Sequence, residues 1–327
     1  MIEKINIAFC FDENMYMLAG VAIASLLYHA MNNCAYDIYC IVPEAFAKSK
    51  RDELVAMVES KDKNSKIIFL NANRDFDNSV VKQYTPGIFY RFMLLKLLPK
   101  NIDKIIYCDV DVTFHDNLID LYNIDMKDNL IAGVADADQL CRAYPNNGSY
   151  INSGILLMNV SKLRLINAYD EWLKLSKQDI FAYPDQDILN KTCDGKILYL
   201  PMRYNYMPGA GGRFEKPVAD GIYTMSDYQD AVRNPAIIHY ILRQPWKNRE
   251  NLVGDLWWKY AYMTPFYAYF RSKIEHQPAL IKKDVYLFNL IKIMTIKIRQ
   301  TKHKYYLFGF LPLFLIKIPD RFDRRQV

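Results

Sequence analysis

No stretch of this 327-residue chain approaches the roughly 20 apolar residues that a membrane-spanning helix needs. The longest uninterrupted apolar run, Tyr305–Ile316, is broken by Pro312. No charged-then-apolar leader opens the sequence either. Met1-Ile2-Glu3-Lys4 leads straight into Ile5–Phe11, which is too short and too strand-like for a signal core, so no secretory signal is expected. None of the six cysteines (10, 34, 40, 108, 141 and 193) forms a C-x-x-C pair, and Cys10, Cys40 and Cys108 fall inside strand-like runs. Zinc and disulfides are therefore not expected, and the economical reading is buried, reduced thiols in a cytosolic protein. Internal repeats and low-complexity segments are missing. Basic charge is missing from most of the chain: residues 271–327 carry 13 Lys/Arg against 4 acids, and the whole chain is +6, which leaves residues 1–270 at −3. A mildly acidic body argues against nucleic acid as its partner. What is present is globular: 51% apolar residues and 24% charged, enough for a full core under a soluble surface.

Strand and helix signals alternate through the first two hundred residues. Ile5–Phe11 reads as a strand, 17–31 as a helix with small residues for close packing, Tyr36–Val42 as a strand stopped by Pro43, and 46–60 as an amphipathic helix. Strands follow at 66–70, 104–108 and 130–135, with helices at 89–98 and 161–175. This rhythm predicts an α/β fold with a mostly parallel sheet covered by helices. The segment 201–235 shows no clear period, clusters Gly209, Gly211 and Gly212 beside Pro208, and reads as a long mobile loop.

The densest chemical signal is Ile105-Ile106-Tyr107-Cys108-Asp109-Val110-Asp111, a buried-strand run that ends in two aspartates. Side chains alternate along a strand, so Asp109 and Asp111 share one side. At the C-terminal end of a sheet strand, two such carboxylates suit a divalent cation held against a diphosphate. The D-x-D string alone discriminates little. Chance predicts about 2 pairs from 27 aspartates, and four occur: 75/77, 109/111, 136/138 and 185/187. Only 109/111 closes a strand-like run.

Four further segments stand in a fixed order around that pair. They are Phe9-Cys10-Phe11-Asp12-Glu13-Asn14, Phe89-Tyr90-Arg91-Phe92, Tyr150-Ile151-Asn152-Ser153-Gly154, and Pro184-Asp185-Gln186-Asp187 followed by Arg203-Tyr204-Asn205-Tyr206. His239-Tyr240 then precedes Pro245-Trp246-Lys247. In this order and spacing, residues 3–250 resemble the retaining glycosyltransferases of family 8. The resemblance implies a GT-A fold, a UDP-sugar donor (UDP-galactose or UDP-glucose) and Mn²⁺, with Mg²⁺ as the alternative. It implies Asp109, Asp111 and His239 as metal ligands, a mixed oxygen and nitrogen set that suits Mn²⁺ better than Mg²⁺. It assigns Asp12, Asn14, Arg91, Val110, Asp136 and Asn152 to the donor, and Gln186 and Asp185 to the catalytic centre. Family members place a lysine where this chain has Gln244, so either Arg243 or Lys247 is expected to meet the diphosphate. Met15 stands where the family commonly stacks an aromatic ring on uracil. A nucleotidyltransferase would also pair acids with a metal, but would carry a glycine-rich basic loop after its first strand, and Asp12-Glu13-Asn14 lacks one. A glycan- or membrane-binding protein on a degenerate transferase scaffold is the non-enzyme alternative.

Two regions are expected: a single GT-A catalytic domain over 1–265 and a basic, aromatic, helical tail over 266–327. Lysines beside aromatics and leucines read as an anchor lying on an anionic membrane surface. The expected protein is thus cytoplasmic and peripheral on the inner face of the cell membrane, with a glycan or glycolipid acceptor and no nucleic acid.

Overall fold

The computed structural model describes residues 2–30, 34–81, 84–136, 150–241, 243–248 and 255–276, and the backbone of 281–287, 291–299, 302–307 and 311–317. Cys141 and Asp138 lie outside the described residues. The first half alternates strand and helix: β1 (Glu3–Cys10), α1 (Tyr16–Tyr28), β2 (Cys34–Val42), α2 (Lys48–Lys61), β3 (Lys66–Asn71), α3 (Tyr90–Leu97) and β4 (Lys104–Cys108). Then come β5 (Val112–Phe114), α4 (Ile119–Tyr122), β6 (Ile131–Ala135), β7 (Ile151–Asn159), α5 (Val160–Leu165), α6 (Ala168–Leu175), α7 (Pro184–Thr192) and β8 (Ile197–Tyr199). The remainder holds α8 (Lys216–Ala219), α9 (Met225–Arg233), β9 (Ile237–His239), α10 (Leu256–Tyr262), α11 (Tyr267–Glu275), β10 (Ile281–Leu287), β11 (Ile291–Arg299), β12 (Lys302–Leu307) and β13 (Leu311–Lys317).

Seven strands form the main sheet in the order β3-β2-β1-β4-β7-β6-β8. Pairs β1–β2, β2–β3, β1–β4 and β6–β8 are parallel, and only β7 runs against its neighbours β4 and β6. Helices cover both faces, which is why β1, β2 and β4 read as continuous apolar runs. The chain leaves β1 toward β2 on one side and returns to β4 on the other. That is a topological switch, and open sheets bind ligands beyond the strand ends at such a point. Because β7 is antiparallel, its first residues lie at the same end of the sheet as the last residues of β4. Cys108 pairs with Ile155, and the Asp109 N–H donates to the Gly154 carbonyl at 2.8 Å. A separate two-stranded pairing, β5 with β9, sets Val112 opposite His239. It joins residues 127 positions apart in the sequence.

The chain divides into two compact units, one of 1–244 with 256–267 and one of 245–255 with 268–327. In the first, α1 buries nearly its whole surface, and Gly20 lets the Phe266 ring lie against the helix where a Cβ would collide with it. Two sequence expectations, one in each unit, are corrected. The tail is not helical beyond α11: β10 to β13 form a four-stranded antiparallel sheet in sequence order. Its sequence carries the reason, since Ile291-Lys292-Ile293 and Ile296-Lys297-Ile298-Arg299 alternate with period two and are rich in β-branched residues. The 201–235 segment is likewise not one loop. It contains short 3₁₀ turns at Met202–Asn205 and Pro208–Glu215, then α8 and α9. A capping box starts α9, with the Asp227 N–H donating to the Thr224 hydroxyl oxygen and the Thr224 N–H to the Asp227 carboxylate.

Candidate active site

A cavity of about 490 Å³ opens at the switch point. Asp12, Arg91, Asp109, Val110, Asp111, Asp136, Asn152, Asp185, Gln186 and His239 all line it. They come from the ends of β1, β4, β6 and β9, the start of β7, and the N-termini of α3 and α7.

At its centre, Asp109, Asp111 and His239 each offer a ligand atom, and these atoms lie within 4.8 Å of one another. His239 is buried and its Nε2 lies 3.2 Å from the Asp111 carboxylate. The strand pairing fixes this approach: the Tyr240 N–H donates to the Asp111 carbonyl at 2.8 Å, and the His239 N–H to that of Tyr206 at 2.8 Å. Gly154 makes room for the ring, since a Cβ there would collide with it and would sit 3.0 Å from the Asn152 oxygen. Burial raises the Asp109 carboxyl above its ordinary value despite Arg91 beside it. Burial also opposes the charge of Asp111 and of His239. Their mutual attraction outweighs it, lowering the carboxyl and raising the imidazole. Two carboxylates and an imidazole converging in a partly dry site are a donor set that could hold a divalent metal ion.

Arg91 is the second hub. It is buried, and it donates to Asp109 at 2.9 Å and to the Ser153 carbonyl at 2.7 Å, with Asp185 at 3.2 Å. Its guanidinium lies over the Tyr107 ring, 4.5 Å from the centroid, and the Tyr107 hydroxyl donates to Asp109 at 2.5 Å. Burial works against the Arg91 charge, but the Asp109 and Asp185 carboxylates reverse that and strengthen its hold on the proton.

The third group is a net of side-chain amides. Gln186 accepts from the Ser153 N–H at 2.9 Å and from Asn152 at 3.2 Å, and donates to Asp136 at 2.9 Å and to Tyr150 at 3.1 Å. Its carbonyl oxygen is thus aimed before any substrate arrives. Asp185 and Asp187, adjacent on the sequence pattern, do different work. Asp185 accepts from the Ser153 hydroxyl and faces the cavity, whereas Asp187 accepts from the Ala182 and Tyr183 N–H groups and from Tyr150, holding the start of α7. Asp75 also stays out of the cavity, accepting from Tyr169 and Lys96.

Three expected residues are placed elsewhere. Asn14 is exposed and donates to Asp12, whose carboxylate also accepts from the Met15 N–H. Asp12 therefore closes the turn before α1 while lining the cavity. Arg243 is exposed and does not line the cavity, and Lys247 is exposed and belongs to the second unit. Tyr16, next to Met15, is packed against Phe46 and Phe266, while Met15 itself lines the cavity. Tyr107, Ser153 and Asn205 were not singled out by sequence reasoning. Tyr107 could have been, because it lies two residues before Asp109 on the same strand face.

An open, mostly parallel sheet with paired carboxylates and an imidazole at its switch point is the architecture of a GT-A glycosyltransferase. The chain belongs to glycosyl transferase family 8, whose family model matches residues 6–250. It is 33% identical over 219 residues to a putative glycosyltransferase of Haemophilus influenzae, covering 63% of this chain and 64% of that one. A lipopolysaccharide 1,2-glucosyltransferase of Escherichia coli is 26% identical over 283 residues, covering 80% of this chain and 78% of that one. Among solved structures, the galactosyltransferase LgtC with donor and acceptor sugar analogues superimposes with a TM-score of 0.65 at 24% identity, covering 80% of this chain and 96% of that one. The chain thus spans somewhat under two thirds of the Haemophilus protein's length.

Proposed function

We propose that this protein is a retaining hexosyltransferase that moves galactose or glucose from a UDP-sugar to a cell-envelope glycan acceptor with the help of Mn²⁺. The observation that carries this reading is the convergence of Asp109, Asp111 and His239 with Arg91, Asp185 and Gln186 in one cavity. The relatives support it: one is named a lipopolysaccharide 1,2-glucosyltransferase and another a lipopolysaccharide 1,3-galactosyltransferase, which leaves both sugars open here.

In this reading, Asp12 accepts the uracil N3–H, Asn14 steadies the Asp12 carboxylate by donating to it, and Val110 lies along the nucleoside. A cation held by Asp109, Asp111 and His239 would offset the charge of the departing diphosphate without proton transfer. Arg91 orients Asp109 and Asp185 and presents fixed positive charge where the phosphates and sugar meet. Asp185, Asp136 and Asn152 bind sugar hydroxyls. Gln186 holds its amide oxygen toward the anomeric carbon, where positive charge grows as the glycosidic bond breaks, and its fixed direction costs no reorganisation. In this reading the acceptor attacks from the leaving-group face, which gives retention. Either Arg243 or Lys247 supplies the cation that meets the diphosphate in this reading.

The reading extends to location. Among the described residues no helix is long and apolar enough to cross a membrane. In the C-terminal sheet, Lys282, Lys297 and Lys304 form one cross-strand row, and Arg299, Lys302 and Lys317 form the next on the same face. The alternate rows of the register pair Ile281, Ile298, His303 and Ile316, and Lys283, Ile296, Tyr305 and Phe314. Like charges directly opposite each other destabilise a sheet, and an anionic bilayer relieves that repulsion, at about 1 kcal/mol per basic residue. The test of the whole reading is release of UDP from UDP-glucose and UDP-galactose with and without Mn²⁺, followed by proton NMR of the new anomeric centre. Mn²⁺-dependent release and an α-linked product are expected. Turnover undiminished in EDTA, or a β-linked product, would reject it.

A further inference from the structure

We propose that Asn205 is a positioning residue that ties the cation site to the amide beside the sugar, so that the two are set together. The inference rests on the metal-dependent transfer proposed above, and it concerns a residue with no assigned role there. Asn205 is fully buried at the end of the 3₁₀ turn Met202–Asn205, which lies beside β9 because the next residue, Tyr206, donates its N–H to the Ile237 carbonyl at 2.9 Å. A buried amide is costly unless both halves are paired. Here both halves are paired with groups of the cavity. Its oxygen is 3.0 Å from His239 Nδ1, and its nitrogen donates to the Asn152 oxygen at 2.9 Å.

The directions of these bonds follow from the backbone at the far ends. A backbone N–H can only donate. The Gly154 N–H reaches the Asn152 side chain at 3.0 Å and the Ser153 N–H reaches Gln186 at 2.9 Å, so oxygens stand at both places. The group of Asn205 that faces the Asn152 oxygen must then be its NH₂, and its carbonyl must face His239. His239 Nδ1 accordingly carries a proton and donates it. That leaves Nε2 directed at Asp111 and the place a cation would take. A metal-binding histidine fixed in this way through its other nitrogen has both its tautomer and its ring angle set. On the other side, Asn152, held by Asn205 and Gly154, donates to Asp136 at 3.1 Å and to Gln186 at 3.2 Å. Rotating the His239 ring therefore frees Asn205, then Asn152, then one of the two donors that aim Gln186.

Two variants separate the halves. Asn205→Ala removes both bonds. Asn205→Asp keeps an acceptor for His239 and makes it charged, but sets an oxygen against the Asn152 oxygen, which the Gly154 N–H prevents from turning. Mn²⁺ binding in the presence of UDP is read by electron paramagnetic resonance, and UDP release from UDP-glucose or UDP-galactose gives kcat and donor KM. For Asn205→Ala, Mn²⁺ affinity should fall about 10- to 100-fold. For Asn205→Asp, Mn²⁺ affinity should stay within about threefold of wild type or tighten, while kcat falls at least about tenfold at nearly unchanged KM. Thermal unfolding checks both variants, and the isosteric Asn205→Asp decides alone if the alanine variant does not fold. Wild-type Mn²⁺ affinity in folded Asn205→Ala, or wild-type kcat in Asn205→Asp, overturns the inference while leaving the transferase reading intact. Wild-type protein that binds no Mn²⁺ overturns both.

Discussion

At the scale of single residues, the proposed cation site can be tested one side chain at a time. Asp111 has two attachments: its carbonyl accepts from the Tyr240 N–H and its carboxylate faces His239 Nε2. Asp111→Asn leaves the first intact and removes the charge from the second, so the fold should survive while the site loses half of its anionic complement. Turnover should fall at least a hundredfold, roughly 3 kcal/mol of barrier, and added Mn²⁺ in the millimolar range should restore little of it. Steady-state UDP release across a Mn²⁺ titration checks this, and a variant within threefold of wild type would remove Asp111 from the mechanism. These residues were legible in the sequence because a D-x-D closing an apolar run has a definite place in an α/β sheet. Asn205 was not, although Arg203-Tyr204-Asn205-Tyr206 stands out as a segment. Its role depends on a hydrogen bond to a residue 53 positions away and another 34 away, and no local pattern encodes either.

At the scale of elements, the site exists because β7 runs backwards. Its first residues bring Ser153 and Gly154 beside the end of β4, and the short β5–β9 pairing lays His239 against Gly154. Gly154 is where the two elements touch. Gly154→Ala puts a methyl group into the His239 ring, which is held by Asp111 on one side and Asn205 on the other, so the ring must move or the strands must part. The expected cost is about 1–3 kcal/mol of stability from overpacking, with Mn²⁺ affinity lowered at least about tenfold. Denaturant unfolding and Mn²⁺ titration by paramagnetic resonance measure the two effects. A variant that binds Mn²⁺ like wild type would mean that His239 does not sit against this strand when the cation is bound. The direction of β7 could not be read from the sequence, since a strand buried on both faces is apolar throughout and looks the same either way. The tail was legible in principle. Its period-two alternation of isoleucine with lysine outlines strands, yet basic and aromatic composition drew attention toward an interfacial helix instead.

At the scale of the whole molecule, the question is whether the C-terminal sheet is a surface or part of what the catalytic unit needs to fold. The first unit keeps its own core: α10 packs on α1, and Phe266 closes over Gly20 and Tyr16. A chain ending after His276 retains α10 and α11 and loses, among the described residues, β10 to β13. It should unfold cooperatively and release UDP from a UDP-sugar at close to the full chain's rate. It should lose binding to vesicles rich in anionic lipid, and with it activity on a lipid-linked acceptor. For the full chain, binding should weaken as salt rises, because charge attraction is screened within about 10 Å at 0.1 M ionic strength. Replacing Lys297, Lys302 and Lys304 together by Gln should reproduce most of the loss, since all three lie on the cationic face. Replacing Ile281, Ile296 and Ile298 by Thr, in the alternate rows of the register, removes no charge and should leave the salt-sensitive part unchanged. Equal losses from the two triple variants would mean that the sheet does not present one charged face to the bilayer. A truncated chain that fails to fold would make the sheet part of the catalytic unit's own stability. Full-length protein that ignores anionic vesicles at low salt would remove the membrane from the proposed function and leave a soluble acceptor in its place.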